Sequence, residues 1–329
     1  MALPVLPVRH HASLEAIDGD RLESVSVGPQ GEAIALWSTG QDAAALRPTT
    51  TQPGWATFPD PRTPLPVAVR VTVYRPEPIA AVAIEALTLA YPRAQTLPDG
   101  RVLVAGIRCR WRPDGPERNA VVYDSDGQVL AERTLGDGIE HVMAAADGHV
   151  WVGYFDEGVY GSFGWGGPGP TPLGAPGLVR FSPDLEPDWT FPSHSDHPWG
   201  AIDDCYALNV DRDTVWACYY SGFPLVRIQA GTVTWWRNTI VSGARAMAVA
   251  DASVALYGGY GADRDRLVLA VPDASHLHQV AEYRVVMPDG SPMPGDTVVN
   301  GRGADLHLFT GGTWYRLNLD NIHPTRPGP

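Results

Sequence analysis

A short motif recurs six times along this chain: a turn or small residue leads into a run of alternating side chains. The runs are GEAIALW ending at Trp37, GRVLVAG from Gly100, GHVWVGY from Gly148, DTVWACY from Asp213, ASVALYG from Ala252 and GADLHLF from Gly303. A turn followed by period-2 alternation marks the second strand of a hairpin. Six such hairpins in one chain predict a radial repetition of small sheets, because one hairpin cannot bury its own faces.

Taking one matching position per run gives Ile34, Val102, Val150, Val215, Val254 and Leu306, with intervals of 68, 48, 65, 39 and 52 residues. Propeller repeats run to about 40–50 residues, so the excess sits in insertions. Each run is followed by a third candidate strand, such as VAVRVTVYR from Val67 or PLVRIQAG from Pro224, and in most repeats by a fourth, such as QVLAERTL or TVTWWRN. An innermost strand precedes each run, as in EHVMAAA, DCYALNV and RAMAVA. The expected fold is therefore an all-β, six-bladed β-propeller of four-stranded antiparallel blades in a single domain. The blades are expected near 20–90, 91–138, 139–192, 201–240, 243–290 and 295–320, and the last lacks its outer strand. Residues 3–9 are expected to supply it, closing the ring from the N-terminus and removing an exposed edge.

Composition narrows the chemistry. All 24 basic residues are arginine, so no side-chain amine exists for a Schiff base or a lysine general base. A formal charge of −13 argues against a nucleic-acid partner. No stretch approaches the ~20 apolar residues of a membrane helix, and MALPVLPVRHH carries no cleavable signal pattern, so a cytoplasmic protein without a membrane partner is expected. Cys109, Cys205 and Cys218 are too few and too apolar in context for a disulfide framework and read as buried thiols. The best helical candidate is a turn or two near Gln41–Leu46.

On these repeats the chain resembles six-bladed β-propeller proteins, a superfamily with gluconolactonase-like, strictosidine-synthase-like and NHL-type members. The resemblance implies the fold and transfers no site residue.

In an antiparallel four-stranded blade, the 2→3 and 4→1 connections share one face. The expected long insertions are all of this kind: Ser38–Pro66, Arg110–Arg118, Phe155–Pro176, Ser193–Asp204 and Gly258–Asp265. Long loops on one side of a rigid scaffold are where binding residues collect. The Phe155–Pro176 excursion carries Asp156, Glu157 and Trp165; Trp55, Trp111, Trp199, Tyr219, Tyr220, Tyr257 and Tyr260 join from other repeats. Rings beside carboxylates suit a sugar, a flat aromatic molecule or a cation, although many of the tryptophans must simply pack between blades.

Residues just before each innermost strand are expected to line the mouth of a central channel: Arg93, Glu140 with His141, Asp203 with Asp204, Arg245, and Asn300 with Arg302. Glu140 and Asp203 or Asp204 could act as paired carboxylates in hydrolase, lyase or cyclase chemistry. The same oxygens could hold Ca²⁺ or another divalent metal in a lactonase-type site, or only orient a ligand. His194 and His197, three apart in a Pro-flanked loop, are a weaker candidate for a transition metal. No cofactor is required by any motif. Three uses stay open: recognition of a small molecule, glycan or peptide with or without turnover, metal-dependent hydrolysis, and a non-enzymatic platform for a protein partner.

Overall fold

The computed structural model describes residues 3–17, 19–51, 54 and 56–322; Trp55 lies outside them. Six four-stranded antiparallel blades form a six-bladed β-propeller. Contacts divide the chain into two units of three blades, Leu14–Pro192 on one side and Met1–Ser13 with Ser193–Pro329 on the other.

In the first unit, blade 1 comprises Asp20–Val27, Ala33–Thr39, Arg62–Tyr74 and Pro78–Leu89. Blade 2 comprises Pro92–Thr96, Val102–Gly106, Ala120–Tyr123 and Val129–Arg133, and blade 3 Ile139–Ala144, Val150–Tyr154, Leu178–Phe181 and Pro187–Thr190. In the second unit, blade 4 comprises Asp204–Asp211, Thr214–Tyr220, Leu225–Gln229 and Thr232–Trp236. Blade 5 is built on Ala244–Ala250, Ser253–Gly258, Arg266–Asp273 and His276–Val286, and blade 6 on Val298–Arg302, Asp305–Thr310 and Thr313–Asn318.

The second strands are buried along nearly their whole length, AIALWST and VWVGY among them. Their alternation is therefore bulky against small rather than apolar against polar. A strand covered by packing on both sheet faces needs small residues wherever a neighbour presses close. The cores accordingly lie between blades. In the first unit one links Ile34, Leu36 and Val71 to Val104 and Tyr123, and another links Leu103 and Val122 to Val152 and Phe181. In the second unit Trp216, Leu256 and Val268 share one core, and Tyr257, Leu269, Leu308 and Leu317 another. Alternation of exposed and buried residues is pronounced in outer strands such as Pro78–Leu89.

Buried amides stitch neighbouring connections. Asn119 Nδ2 donates to the carbonyls of Gly106 and Gly136, each at 2.8 Å, while its Oδ1 accepts from Leu135 N–H at 2.9 Å. Asn209 does the same in the second unit, donating to Met247 O at 2.8 Å and Gly303 O at 3.0 Å. Each such side chain replaces water for backbone groups that a loop would otherwise bury unpaired.

The N-terminal closure holds, with a shifted register. Arg9–Ser13, not residues 3–9, forms the outer strand of blade 6, antiparallel to Thr313–Asn318. Val5–Pro7 instead adds a fifth strand to blade 5, parallel to His276–Val286. Prolines explain the difference: Pro4 and Pro7 lack N–H groups and suit a sheet edge, whereas RHHAS has every donor. At that edge Pro4 only accepts, from Arg284 N–H at 2.9 Å. Two further boundaries move. Arg62–Pro66 belongs to a 13-residue strand rather than to a loop, and residues 41–46 form hydrogen-bonded turns. Among the described residues the one α-helix is Asp156–Tyr160, and no helix is long and apolar enough to cross a membrane.

His307 sits inside blade 6, 1% exposed, with its Nδ1 accepting from Trp314 Nε1–H at 3.1 Å. Burial pushes its pKa down to about 3, against its ordinary 6.5, with Asp305 opposing and Arg316, His11 and Arg302 reinforcing the fall. The native state thus refuses a proton that the unfolded chain accepts. Stability is fully present above pH 6.5 and is lost as pH falls from 6.5 towards 3, by up to ~1.4 kcal/mol per pH unit. His307→Gln, which keeps an acceptor for Trp314, should flatten the melting temperature between pH 6.5 and 4 relative to the parent; parallel pH profiles would refute this. Removal of residues 1–13 should lower the melting temperature by about 10 °C, a loss of several kcal/mol for a chain this long, and removal of residues 1–8 by less than half as much. Calorimetry on both truncations decides whether the outer strand of blade 6 carries the closure.

Candidate functional site

Within each blade the 1→2 and 3→4 turns are two to five residues long. The long connections fall on the other side, and the two units lengthen different ones. In the first unit they are the 2→3 loops, residues 40–61, 107–119 and 155–177. In the second unit the 2→3 loops shrink to residues 221–224, 259–265 and 311–312, and the length moves to the 4→1 connections at 237–243 and 287–297.

In the first unit, the Phe155–Pro176 excursion is bolted down by one arginine. Arg108 donates from Nε and Nη2 to the two oxygens of Asp137, each at 3.0 Å, and from Nη2 to Ser162 Oγ at 3.2 Å. Its Nη1 is paired with Glu157, and its guanidinium lies 4.5 Å from the Phe163 ring centroid. Asp137 also accepts from Cys109 N–H at 2.7 Å. Arg108 and Asp137 are both 2% exposed. The backbones here come so close that a Cβ on Gly138, at φ +67°, would lie 2.3 Å from Gly158 N. Trp165, expected to face a ligand, is instead 7% exposed and donates its indole N–H to Cys109 O at 2.9 Å. Trp165 and Glu157 thus hold the loop in place, and Asp156 is left at the surface beside the 66%-exposed Tyr160.

Arg93 and Glu140 are each the second residue of an innermost strand, and the Glu140 charge supports protonation of Arg93 against the depressing effect of burial. Glu140 is exposed and His141 is half-buried. Arg93 lines a cavity of about 80 Å³ with Glu23, Arg47 and Tyr91. There the buried Glu23 carboxylate accepts from Ser38 Oγ at 2.8 Å and Arg47 Nε at 3.2 Å.

In the second unit, Asp204 opens the first strand of blade 4, and Asp203 N–H donates to Tyr220 O at 2.9 Å. Beside them four rings converge: Tyr206 and Tyr220 from the first two strands of blade 4, and Phe223 and Tyr260 from connections 221–224 and 259–265. Tyr206 lies 6.5 Å from Tyr220, 5.6 Å from Phe223 and 6.2 Å from Tyr260, centroid to centroid. The hydroxyls of Tyr206 and Tyr260 are hydrogen-bonded at 2.9 Å. That hydrogen bond, then burial, then the nearby Tyr260 and Asp204 groups push the Tyr206 pKa up. Tyr220 and Tyr260 remain 47% and 56% exposed.

Tyr219 and Tyr257 are buried outright, at 0% exposure, and serve the scaffold. Tyr219 donates to Trp199 O at 2.8 Å, tying down the Ser193–Asp204 connection. Tyr257 donates to Asp265 Oδ1 at 3.2 Å, with Arg245 5.3 Å from its ring centroid, and burial pushes its pKa up to about 12. His197 stacks on Trp199 at 4.5 Å with an 11° tilt, and His194 lies 6.0 Å from His197. Among the described residues no group of three or more His, Cys, Asp or Glu side chains is placed to hold a metal. Arg302 is a correction: it ends its strand beside a 1→2 turn, away from the long connections, and donates to Val210 O at 2.9 Å. Asn300 stands mid-strand opposite His307. All three cysteines are buried free thiols, and burial pushes Cys218 up to about 12.

Tyr206, Phe223 and Arg47 were not singled out from the sequence, and Tyr220 and Tyr260 were grouped with buried neighbours. The usable signal is local. Tyr220 leads into Ser-Gly-Phe223, and Tyr260 stands between Gly259 and Gly261, so these rings leave the strands where no sheet covers them.

The YxzG family matches residues 193–280, well under half of the chain. No curated protein matches. Among solved structures, the β-propeller domain of Cps50 (Swd1) from Myceliophteria thermophila is 10% identical, with 94% of this chain and 99% of that one covered and a TM-score of 0.46. A chain of a mitotic checkpoint complex is 8% identical, with 92% and 78% covered and a TM-score of 0.48. The PQQ-bound aldose sugar dehydrogenase of Streptomyces coelicolor is 12% identical, with 96% and 99% covered and a TM-score of 0.43.

Replacing Arg108 by Met strands the Asp137 carboxylate in a buried site, a change that typically costs about 3–5 kcal/mol. Urea unfolding of Arg108→Met should show a loss of that size, with faster proteolysis within residues 155–176. A loss below ~1 kcal/mol would mean that the loop is held by its apolar contacts.

Proposed function

We propose that this propeller is a recognition module for a small molecule or glycan, held on the Tyr206, Tyr220, Phe223 and Tyr260 rings beside Asp203 and Asp204. One observation carries the reading: two tyrosines stay about half exposed while clustered with two further rings. Tyr160 and Phe58 are exposed as well, but Tyr220 and Tyr260 share one cluster of rings, and an exposed apolar patch marks a contact surface. Ring faces take the C–H face of a sugar or a cation, and adjacent carboxylates accept hydroxyl or ammonium protons. The formal charge of −13 favours a neutral or cationic ligand over an anion. The two carboxylates also supply acid–base groups for hydrolase, lyase or cyclase chemistry on a bound sugar derivative.

The test is a saccharide array followed by titration of hits, and of tetramethylammonium, by tyrosine fluorescence. Tyr220→Ala and Tyr260→Ala should each weaken binding about tenfold without lowering the melting temperature, as for loss of one ring platform. Asp204→Asn should abolish binding of a cation and weaken a neutral glycan only a few-fold. Absence of any ligand, or wild-type affinity in both tyrosine variants, would overturn the reading. Capture of a protein partner that both tyrosine variants lose would replace it with an interaction platform.

A further inference from the structure

A second concavity lies in the same unit but in other blades, where the N-terminal segment passes from blade 5 to blade 6. It encloses about 750 Å³, the size of a small-molecule site. Its apolar walls include Leu6, Val8, Leu317 and Ile322, and its charged side chains among the described residues are Arg9 and Arg316, with the imidazoles of His10 and His11 beside them. No carboxylate of a described residue lines it, although the chain carries 37 acidic residues against 24 basic.

The two arginines are an unusual pair. Arg9 and Arg316 stand directly opposite one another across the antiparallel outer strands of blade 6, so both side chains leave the sheet on one face. Like charges in that register repel. Arg316 is partly neutralised by Asp305, to which its Nη2 donates, yet its Nε–H is buried without an acceptor. Arg9 forms no side-chain hydrogen bond or ion pair with any described residue and is exposed. Asp305 stabilises the charged form of Arg316 against burial, and an anion bridging the pair would accept a charge-assisted hydrogen bond from each guanidinium.

We propose that this groove binds a small amphipathic organic anion, its carboxylate or phosphate between Arg9 and Arg316 and its apolar body against Leu6, Val8, Leu317 and Ile322. Guanidinium groups bind both headgroups through charge-assisted hydrogen bonds. Neither half of such a ligand suffices: the headgroup alone is exposed to solvent screening, and the chain alone leaves the arginines facing each other. The proposal is independent of the aromatic cluster and does not involve its residues.

Isothermal titration with octanoate, octyl phosphate, octanol and inorganic phosphate tests it on the full chain. Octanoate or octyl phosphate should bind and raise the melting temperature, and the better of the two identifies the headgroup. Octanol and inorganic phosphate should bind at least tenfold more weakly, and binding of the anions should weaken as salt is raised. Arg9→Glu should abolish octanoate binding, because it places a carboxylate where the headgroup would sit. Arg9→Gln should lose binding about tenfold, the effect of one charge-assisted hydrogen bond, and keeps the test intact if the reversal misfolds. Equal affinity for octanol and octanoate, wild-type affinity in both Arg9 variants, or binding only to anionic phospholipid vesicles would each overturn the proposal.

Discussion

The constraint on which this architecture rests is the two-sided burial of the second strand in each blade. Ala33, Ile34, Ala35 and Leu36 are all 0–1% exposed, as only a strand covered on both faces can be. Such a strand has no free position at which to carry chemistry. An unpaired buried polar group costs ~1–3 kcal/mol, and Asn119 and Asn209 avoid that cost by bonding backbone groups. Functional groups are thereby driven to strand ends and loops. The division of labour between scaffold and site follows from packing before any ligand is considered.

That division separates residues adjacent in sequence. Tyr219 and Tyr220 differ by one step along a strand, yet one is buried and the other about half exposed. The first still lies between sheets; the second has reached the exit, where the neighbouring packing ends. Tyr257 and Tyr260 repeat the contrast across Gly258 and Gly259. Arg108 illustrates the opposite case, a charged loop residue drawn wholly inside because Asp137, Glu157 and Ser162 together complete its hydrogen bonding.

The all-β class, the six blades and their four-stranded pattern were legible because they depend on local alternation and turn residues. The N-terminal register was not: residues 3–9 and 9–13 both read as strands, and the choice turns on whether proline donors are missed at an edge or an interior position. Site residues were legible as regions rather than as side chains. Trp165 has the composition of a binding residue, and only the three-dimensional position of the Cys109 carbonyl makes it a structural one. The Arg9–Arg316 pairing joins positions some 300 residues apart, and no local pattern reports it.

The two candidate sites also show how little net charge says about a particular surface. At a formal −13 the far field repels anions, but that field is screened beyond about 8–10 Å at moderate ionic strength. Inside that range the nearest groups decide. Beside Tyr206 stands the Asp204 carboxylate; beside Leu317 stands the Arg316 guanidinium, with no carboxylate among the described lining residues. A global excess of acid slows an anion's approach without determining its affinity once it has arrived. The basic groove therefore selects for ligands that bring an apolar body as well as a charge, since burial of that body is insensitive to the field and holds the headgroup where the local arginines act.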